Sequence, residues 1–267
     1  MTGTPFQRSP SRSPARNAAS RVPEVTICFW IIKVLITGAS VWAPDDLIRH
    51  FGAVIVASLA GVLLVALLAL QFSRRRYSPW VYWLAVAAVS VAGTMAGNGP
   101  HAELGVPYSI SAACYLVALV AILLTWRASE KTLSLRRVDT PRREMFYWAA
   151  ILSAFALGGA VGHLIATAIF PPGHSPPGYL ISFAALTGVL ALAWSRFGMN
   201  PIFTFWSAYV VTRPLGAALA IWLAAPDSAG GLGIGPRQVS PGLTIVIISL
   251  VAYQAATRNG IQEPAAT

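Results

Sequence analysis

Residues Phe205 to Trp222 read FWSAYVVTRPLGAALAIW, an apolar run that carries an arginine, Arg213, beside a proline, Pro214. At about 1.5 Å of rise per residue, a run of this length can cross about 30 Å of hydrocarbon as a helix. A guanidinium at mid-span costs about 2.5–3.5 kcal/mol on insertion scales, so a partner inside the protein is expected. Pro214 cannot donate to the carbonyl of Val210, and the five donors of Arg213 can satisfy such a freed carbonyl while facing a helix bundle. Asp45 and Asp46 are the best available counter-ions, with outer-loop water as the alternative.

The rest of the chain reads as the same kind of segment. Of its 267 residues, 56% are hydrophobic and 10% are charged, against about 25% charged in a soluble domain. Eight runs have spanning length: Val25 to Ala43, Ala53 to Phe72, Trp80 to Gly97, Tyr108 to Trp126, Phe146 to Phe170, Tyr179 to Phe197, Pro201 to Ala224 and Pro241 to Ala256. The fold class expected is therefore all-α, a polytopic bundle of eight transmembrane helices.

The net charge of +10 raises the question of a nucleic-acid partner. With the N-terminus placed inside, fifteen of the 19 Lys and Arg residues fall on inner segments and two, Arg49 and Arg237, on outer loops. Lys33 and Arg213 lie within spans. This asymmetry is the positive-inside pattern, so topology accounts for the charge and no nucleic-acid partner is expected. Both termini are expected in the cytoplasm. The tail over residues 1–24, rich in Ser, Pro and Arg, reads as a disordered arm, and residues 257–267 as a cytoplasmic tail. Cleavage of a signal peptide after Ala43 is disfavoured by Pro44. The basic loop from Arg127 to Glu144 is expected to contact anionic headgroups. Cys28 and Cys114 fall in opposite leaflets, which disfavours a disulfide.

Each odd-numbered span opens with an aromatic pair: Phe29-Trp30, Tyr82-Trp83, Tyr147-Trp148 and Phe205-Trp206. The tryptophans are 53, 65 and 58 residues apart, the length of two spans with their loops. The chain thus reads as four parallel two-helix repeats, about 25–72, 80–126, 146–197 and 201–256. Ten residues after each tryptophan stand Ser40, Gly93, Gly158 and Gly216, and fourteen after stand Pro44, Gly97, Gly162 and Ala220. Small residues in this spacing let helices approach closely, so the odd spans are expected to pack together and the Leu- and Val-rich even spans to face lipid. Fifteen residues after each tryptophan stand Asp45, Asn98, His163 and Ile221. These are either polar caps at the outer interface or the rim of a vestibule. Lys33 can snorkel to the cytoplasmic interface. It also shares a helical face with Ser40, seven residues on, and would then face the other odd spans.

The phrases VPEVTICFWIIKVL, RRYSPWVYWLAV, ASEKTLSL, RREMFYW, FWSAYVVTRPLGA and GGLGIG, spread over residues 21 to 235, resemble a family of bacterial inner-membrane proteins labelled "uncharacterised membrane-anchored protein". The resemblance implies an acidic residue at the fifteenth position of each repeat and Gly-Glu near the end of the first span. Here the acid stands only at Asp45, and Ser40 and Val41 replace Gly-Glu. The family implies an architecture without an established activity.

Walker A, GxSxG, HExxH and CxxC patterns are missing, and GGLGIG at Gly230 to Gly235 falls in an outer loop, so neither an enzyme nor a cofactor is expected. All four histidines fall on the outer side with several acids, but no two share a close ligand spacing, and no metal site is assigned. Two functions follow. One is a transporter or permease for a small solute or cation, with a pathway between the odd-numbered helices marked by Arg213, Lys33, Asp45, Asn98 and His163. The other is a non-catalytic scaffold or envelope-sensing component. Homo-oligomerisation is left open.

Overall fold

The computed structural model describes residues 20–257 except 75, 136–137 and 169–174; the side chains of 43–46 and 168 also lie outside the described set. Its helices are α1 (Ile27–Ala39), α2 (Ala43–Phe51), α3 (Ala53–Ser73), α4 (Pro79–Leu104), α5 (Tyr108–Glu130), α6 (Pro141–Ala168), α7 (Pro176–Phe197), α8 (Pro201–Ala224) and α9 (Pro236–Thr257). Seven of them, α3 to α9, are long and apolar enough to cross a membrane. The protein is a multi-pass membrane helical bundle.

The first span departs from the sequence reading. Its helix, α1, has only 13 residues, about 20 Å against about 30 Å of hydrocarbon. The cause is local. Ser40 turns its hydroxyl back to the Thr37 carbonyl at 3.0 Å, and Pro44, which lacks an N–H, sits in the first turn of a new helix, α2. Gly52, at φ 84°, then turns the chain into α3. The tail also differs where it is described. Arg21 N–H donates to the Val138 carbonyl at 2.9 Å, its guanidinium meets Glu144 at 2.8 Å, and Val22 is buried. Residues 1–19 lie outside the described residues.

The opening helices of the four units, α1, α4, α6 and α8, form a closed ring in that order. Near the N-terminal ends of these helices the aromatic pairs lock into a collar with one repeated contact. Phe29 packs on Trp83 with centroids 5.4 Å apart, Tyr82 on Trp148 at 5.5 Å, Tyr147 on Trp206 at 6.4 Å and Phe205 on Trp30 at 5.6 Å. The first aromatic of each pair thus touches the tryptophan of the next unit, and the last unit closes onto the first. The collar also ties Tyr82 to Tyr147 through their hydroxyls at 2.6 Å.

The same rule governs the small residues. A Cβ on Gly93 would sit 2.6 Å from Phe155 Cβ, one on Gly158 2.7 Å from Arg213 Cβ, and one on Gly216 2.8 Å from Thr37 Cβ. The fourth contact is the hydroxyl pair Ser40–Ser90 at 2.7 Å. In every case the residue ten places after one tryptophan meets the residue seven places after the next. A second layer repeats the pattern: Gly97 abuts the Ala156 carbonyl, Gly162 abuts Pro214, and Ala220 abuts Gly38. Glycine is needed here because two helix backbones occupy the space of a side chain.

The closing helices pack outside this ring, each on the opening helix of the following unit: α3 on α4, α5 on α6, α7 on α8 and α9 on α1. The Leu-rich α3 leaves most of its surface open to the hydrocarbon. The GGLGIG segment caps α8. Leu232, Gly233 and Ile234 donate to the terminal carbonyls of Trp222, Ala225 and Leu223 at 3.1, 2.7 and 3.1 Å. Positive φ at Gly230, Gly233 and Gly235 permits that reversal.

Candidate functional site

Two layers of side chains fill the ring axis. Three places after each tryptophan stand Lys33, Val86, Ile151 and Tyr209; seven places after stand Thr37, Ser90, Phe155 and Arg213. All eight are buried. Each layer holds one basic residue, and the two bases come from neighbouring helices, α1 and α8.

Lys33 is fully buried. It does not snorkel; the ammonium turns into the ring because acceptors wait there. Nζ donates to the Tyr209 carbonyl at 2.6 Å and to Thr212 Oγ1. It also lies over the Tyr209 ring, 4.0 Å from the centroid, and 5.1 Å from that of Phe155. Desolvated cation–π contacts of this kind contribute about 2 kcal/mol.

Arg213 lies one layer further out, 5% exposed. It does not turn back to the Val210 carbonyl freed by Pro214; that carbonyl faces Gly158. Nη2 instead crosses the ring to Thr94 Oγ1 at 3.0 Å, and Nε is buried with no partner among the described residues. Thr94 passes its own proton to the Ser90 carbonyl at 2.8 Å, and the Ser90 hydroxyl meets Ser40. The guanidinium therefore faces a line of hydroxyls from α4 and α1.

No carboxylate balances these bases among the described side chains. The four ion pairs found there involve Arg21, Arg142 and Arg143 and neither Lys33 nor Arg213. Asp45 lies in α2, but its side chain and that of Asp46 are outside the described residues, so the expected pairing with Arg213 is too.

The outer residues are partly gathered. Asn98 is half-buried, and its Oδ1 is enclosed without a partner. His163 stacks on Tyr108 at 4.8 Å, and Tyr108 stacks on His101 at 4.1 Å, which makes a three-ring clamp across α4, α5 and α6. Ile221 is 41% exposed. His174 lies outside the described residues. Among the described residues no three His, Cys, Asp or Glu side chains are placed to hold a metal ion. Cys28 and Cys114 are free thiols.

Sequence reasoning found Arg213 and Lys33 but missed their hydroxyl partners, Thr94 and Thr212, and Ser90, whose carbonyl accepts from Thr94. Ser90 could have been found, since it occupies the seventh place in its repeat, as Arg213 does. Thr212, one place before Arg213, has no polar counterpart in the other units beyond the adjacent helix turn.

The ring and its axis define a repeat-built polytopic membrane protein with a basic, hydroxyl-lined centre. Residues 81–132 and 204–259 match the family model described as a Repeat of Unknown Function (DUF347). The two matches cover α4–α5 and α8–α9, and each begins two residues before its tryptophan, Trp83 or Trp206. They are the second and fourth units of the ring in the same register. No curated protein and no solved structure matches the chain.

Proposed function

We propose that this protein is a permease for a small anionic solute in a bacterial inner membrane, with both termini in the cytoplasm. The observation that carries the reading is the pairing of Lys33 and Arg213 inside one helical ring with only neutral partners among the described residues. Each charge costs about 2.5–3.5 kcal/mol at mid-bilayer on insertion scales, and an anion within reach would offset both. The enclosed Nε of Arg213, a donor with no acceptor among the described residues, supplies unmet capacity to bind an anion. Two fixed cations repel a third, so an anion fits the axis better than the cation the sequence also allowed.

In this reading the solute enters from the outer face past His163 and Asn98 and is held by Arg213 and the hydroxyls of Thr94 and Ser90. The aromatic collar and Lys33 close the cytoplasmic half, which is the arrangement of a barrier on one side of a midplane site. The residues bind and release; no covalent step is assigned to them. The basic inner loops associate with anionic headgroups, and homo-oligomerisation remains compatible with this role.

A scaffold that transports nothing is the second reading, favoured by the close glycine contacts and the tightly filled axis. Dye-reported influx of chloride, nitrate, acetate and phosphate into proteoliposomes separates the two. Under the permease reading at least one anion enters faster than in protein-free liposomes, and the folded Arg213→Gln variant loses that influx. If none of the four enters faster, the permease reading fails and the scaffold stands.

A further inference from the structure

A groove of about 960 Å³ opens on the lipid side between α5 and α7, floored by α8 and Leu157 of α6. It follows from the way closing helices are handed on. α5 rests on α6 and α7 rests on α8, so the two outer helices stand apart over the ring. The wall on α5 runs from Leu116 to Arg127, about 16 Å of helix, or one leaflet of a bilayer core about 30 Å thick. It is apolar as far as Leu124 and basic at its end.

At that end the groove is lined by Arg127, Lys131, Thr132, Ser134 and Asn200. The acids nearby are already engaged. Glu130 pairs with Arg143 at 2.9 Å and with Arg142 at 3.8 Å, and Asp139 pairs with Arg143 at 2.9 Å. Arg127 and Lys131 have no carboxylate partner among the described residues. Arg127 reaches only the Lys131 carbonyl. Lys131 stands at φ 57°, a left-handed conformation that ordinarily favours glycine, yet here it carries a cation at the mouth of an apolar slot. On the floor, the Trp206 indole N–H is buried with no acceptor among the described residues. An apolar slot one leaflet deep that ends in two unpaired bases complements a molecule with acyl chains and an anionic head.

We propose that this groove binds one anionic phospholipid from the leaflet on the basic side, its phosphate between Arg127 and Lys131 and its chains along α5 and α8. The site is independent of the ring axis and stands whether or not the protein is a permease.

Native mass spectrometry of the purified full chain tests it, with phosphatidylglycerol and phosphatidylcholine of identical acyl chains as probes. Phosphatidylglycerol is expected to bind more tightly. An Arg127→Gln, Lys131→Gln variant weakens it roughly fivefold for each base removed, about 25-fold together, and leaves phosphatidylcholine unchanged. Leu123→Trp fills the slot and weakens both lipids, whereas Arg196→Gln, a base outside the groove, weakens neither. Glycerol phosphate, which has the head without the chains, does not displace the bound lipid. The charge variants alter exposed residues and fold normally, so they decide the matter even if Leu123→Trp does not fold. Equal binding of the two lipids by the native protein, retention of phosphatidylglycerol by the double variant, or displacement by glycerol phosphate overturns the proposal.

Discussion

Arg213 and Lys33 lie in successive layers of the ring axis with different partners, and their substitutions separate charge from shape. Lys33→Met keeps the length of the side chain and removes a buried ammonium whose partners are a carbonyl, a hydroxyl and two ring faces. Thr212 keeps its own bond to the Ala208 carbonyl at 2.6 Å. Lys33→Met is therefore expected to match or exceed the native protein in thermal stability, because replacing a buried charge by an apolar isostere is often neutral or stabilising. Thr212→Ala does the opposite. It leaves the ammonium short of an acceptor and is expected to destabilise by about 1–3 kcal/mol. Thermal unfolding in detergent checks the order; Lys33→Met melting well below Thr212→Ala would refute this account of the axis. For Arg213, Lys is expected to rescue the folded yield of an Ala variant only in part, because it keeps the stem over Gly158 but one ammonium cannot reproduce the planar fork that reaches Thr94. Equal yields of Arg213→Lys and native protein would contradict that. The bases were legible in the sequence because a charge inside an apolar run stands out. Their partners were not, because serines and threonines are ordinary in membrane helices and only the ring brings Thr94 of α4 across to α8.

At the scale of the helix, the small residues carry the interfaces. A side chain on Gly158 meets the Val210 carbonyl at 2.6 Å and the Arg213 stem at 2.7 Å, both fixed by the ring. Gly158→Leu and Gly162→Leu are therefore expected to cost more than about 3 kcal/mol, beyond ordinary overpacking, since backbone must move. Ala66→Leu on the exposed face of α3 is expected to change little. Unfolding temperature and monodisperse yield report the difference, and equal tolerance at Gly162 and Ala66 would remove the close-packed ring. This layer was largely readable in the sequence. The tenth and fourteenth places identified Gly93, Gly97, Gly158, Gly162 and Gly216 as contact points. The partner face, at the seventh and eighth places, was hidden because Thr37, Ser90, Phe155 and Arg213 share no chemistry, only a position. The break that shortens α1 was also hidden. Residues 25 to 43 have the length and mean hydropathy of one span despite Lys33, and hydropathy alone does not register a serine that caps a helix from within.

The whole molecule is a four-unit ring whose first and last units touch, with α9 packed on α1 and Phe205 packed on Trp30. Hydropathy and tryptophan spacing made the bundle and its repeats legible. Nothing in one sequence gives the cyclic order, because that depends on which unit each aromatic pair reaches. The proposed orientation, with the basic loops inside, puts the collar on the cytoplasmic side. With Cys28 and Cys114 replaced by Ser, a cysteine at Ser175 is expected to react with an impermeant external reagent and one at Ser134 is not; the reverse pattern would invert the orientation. The ring itself is tested most directly by a disulfide across the interface where two serine hydroxyls already meet, Ser40 and Ser90 at 2.7 Å. That approach suits the Cβ separation of about 3.5–4.5 Å that a disulfide requires. In the same cysteine-free background, Ser40→Cys with Ser90→Cys is expected to cross-link on mild oxidation and shift in non-reducing electrophoresis. Ser90→Cys with Ser207→Cys is expected to stay reduced. Cross-linking of the second pair in place of the first would contradict the ring.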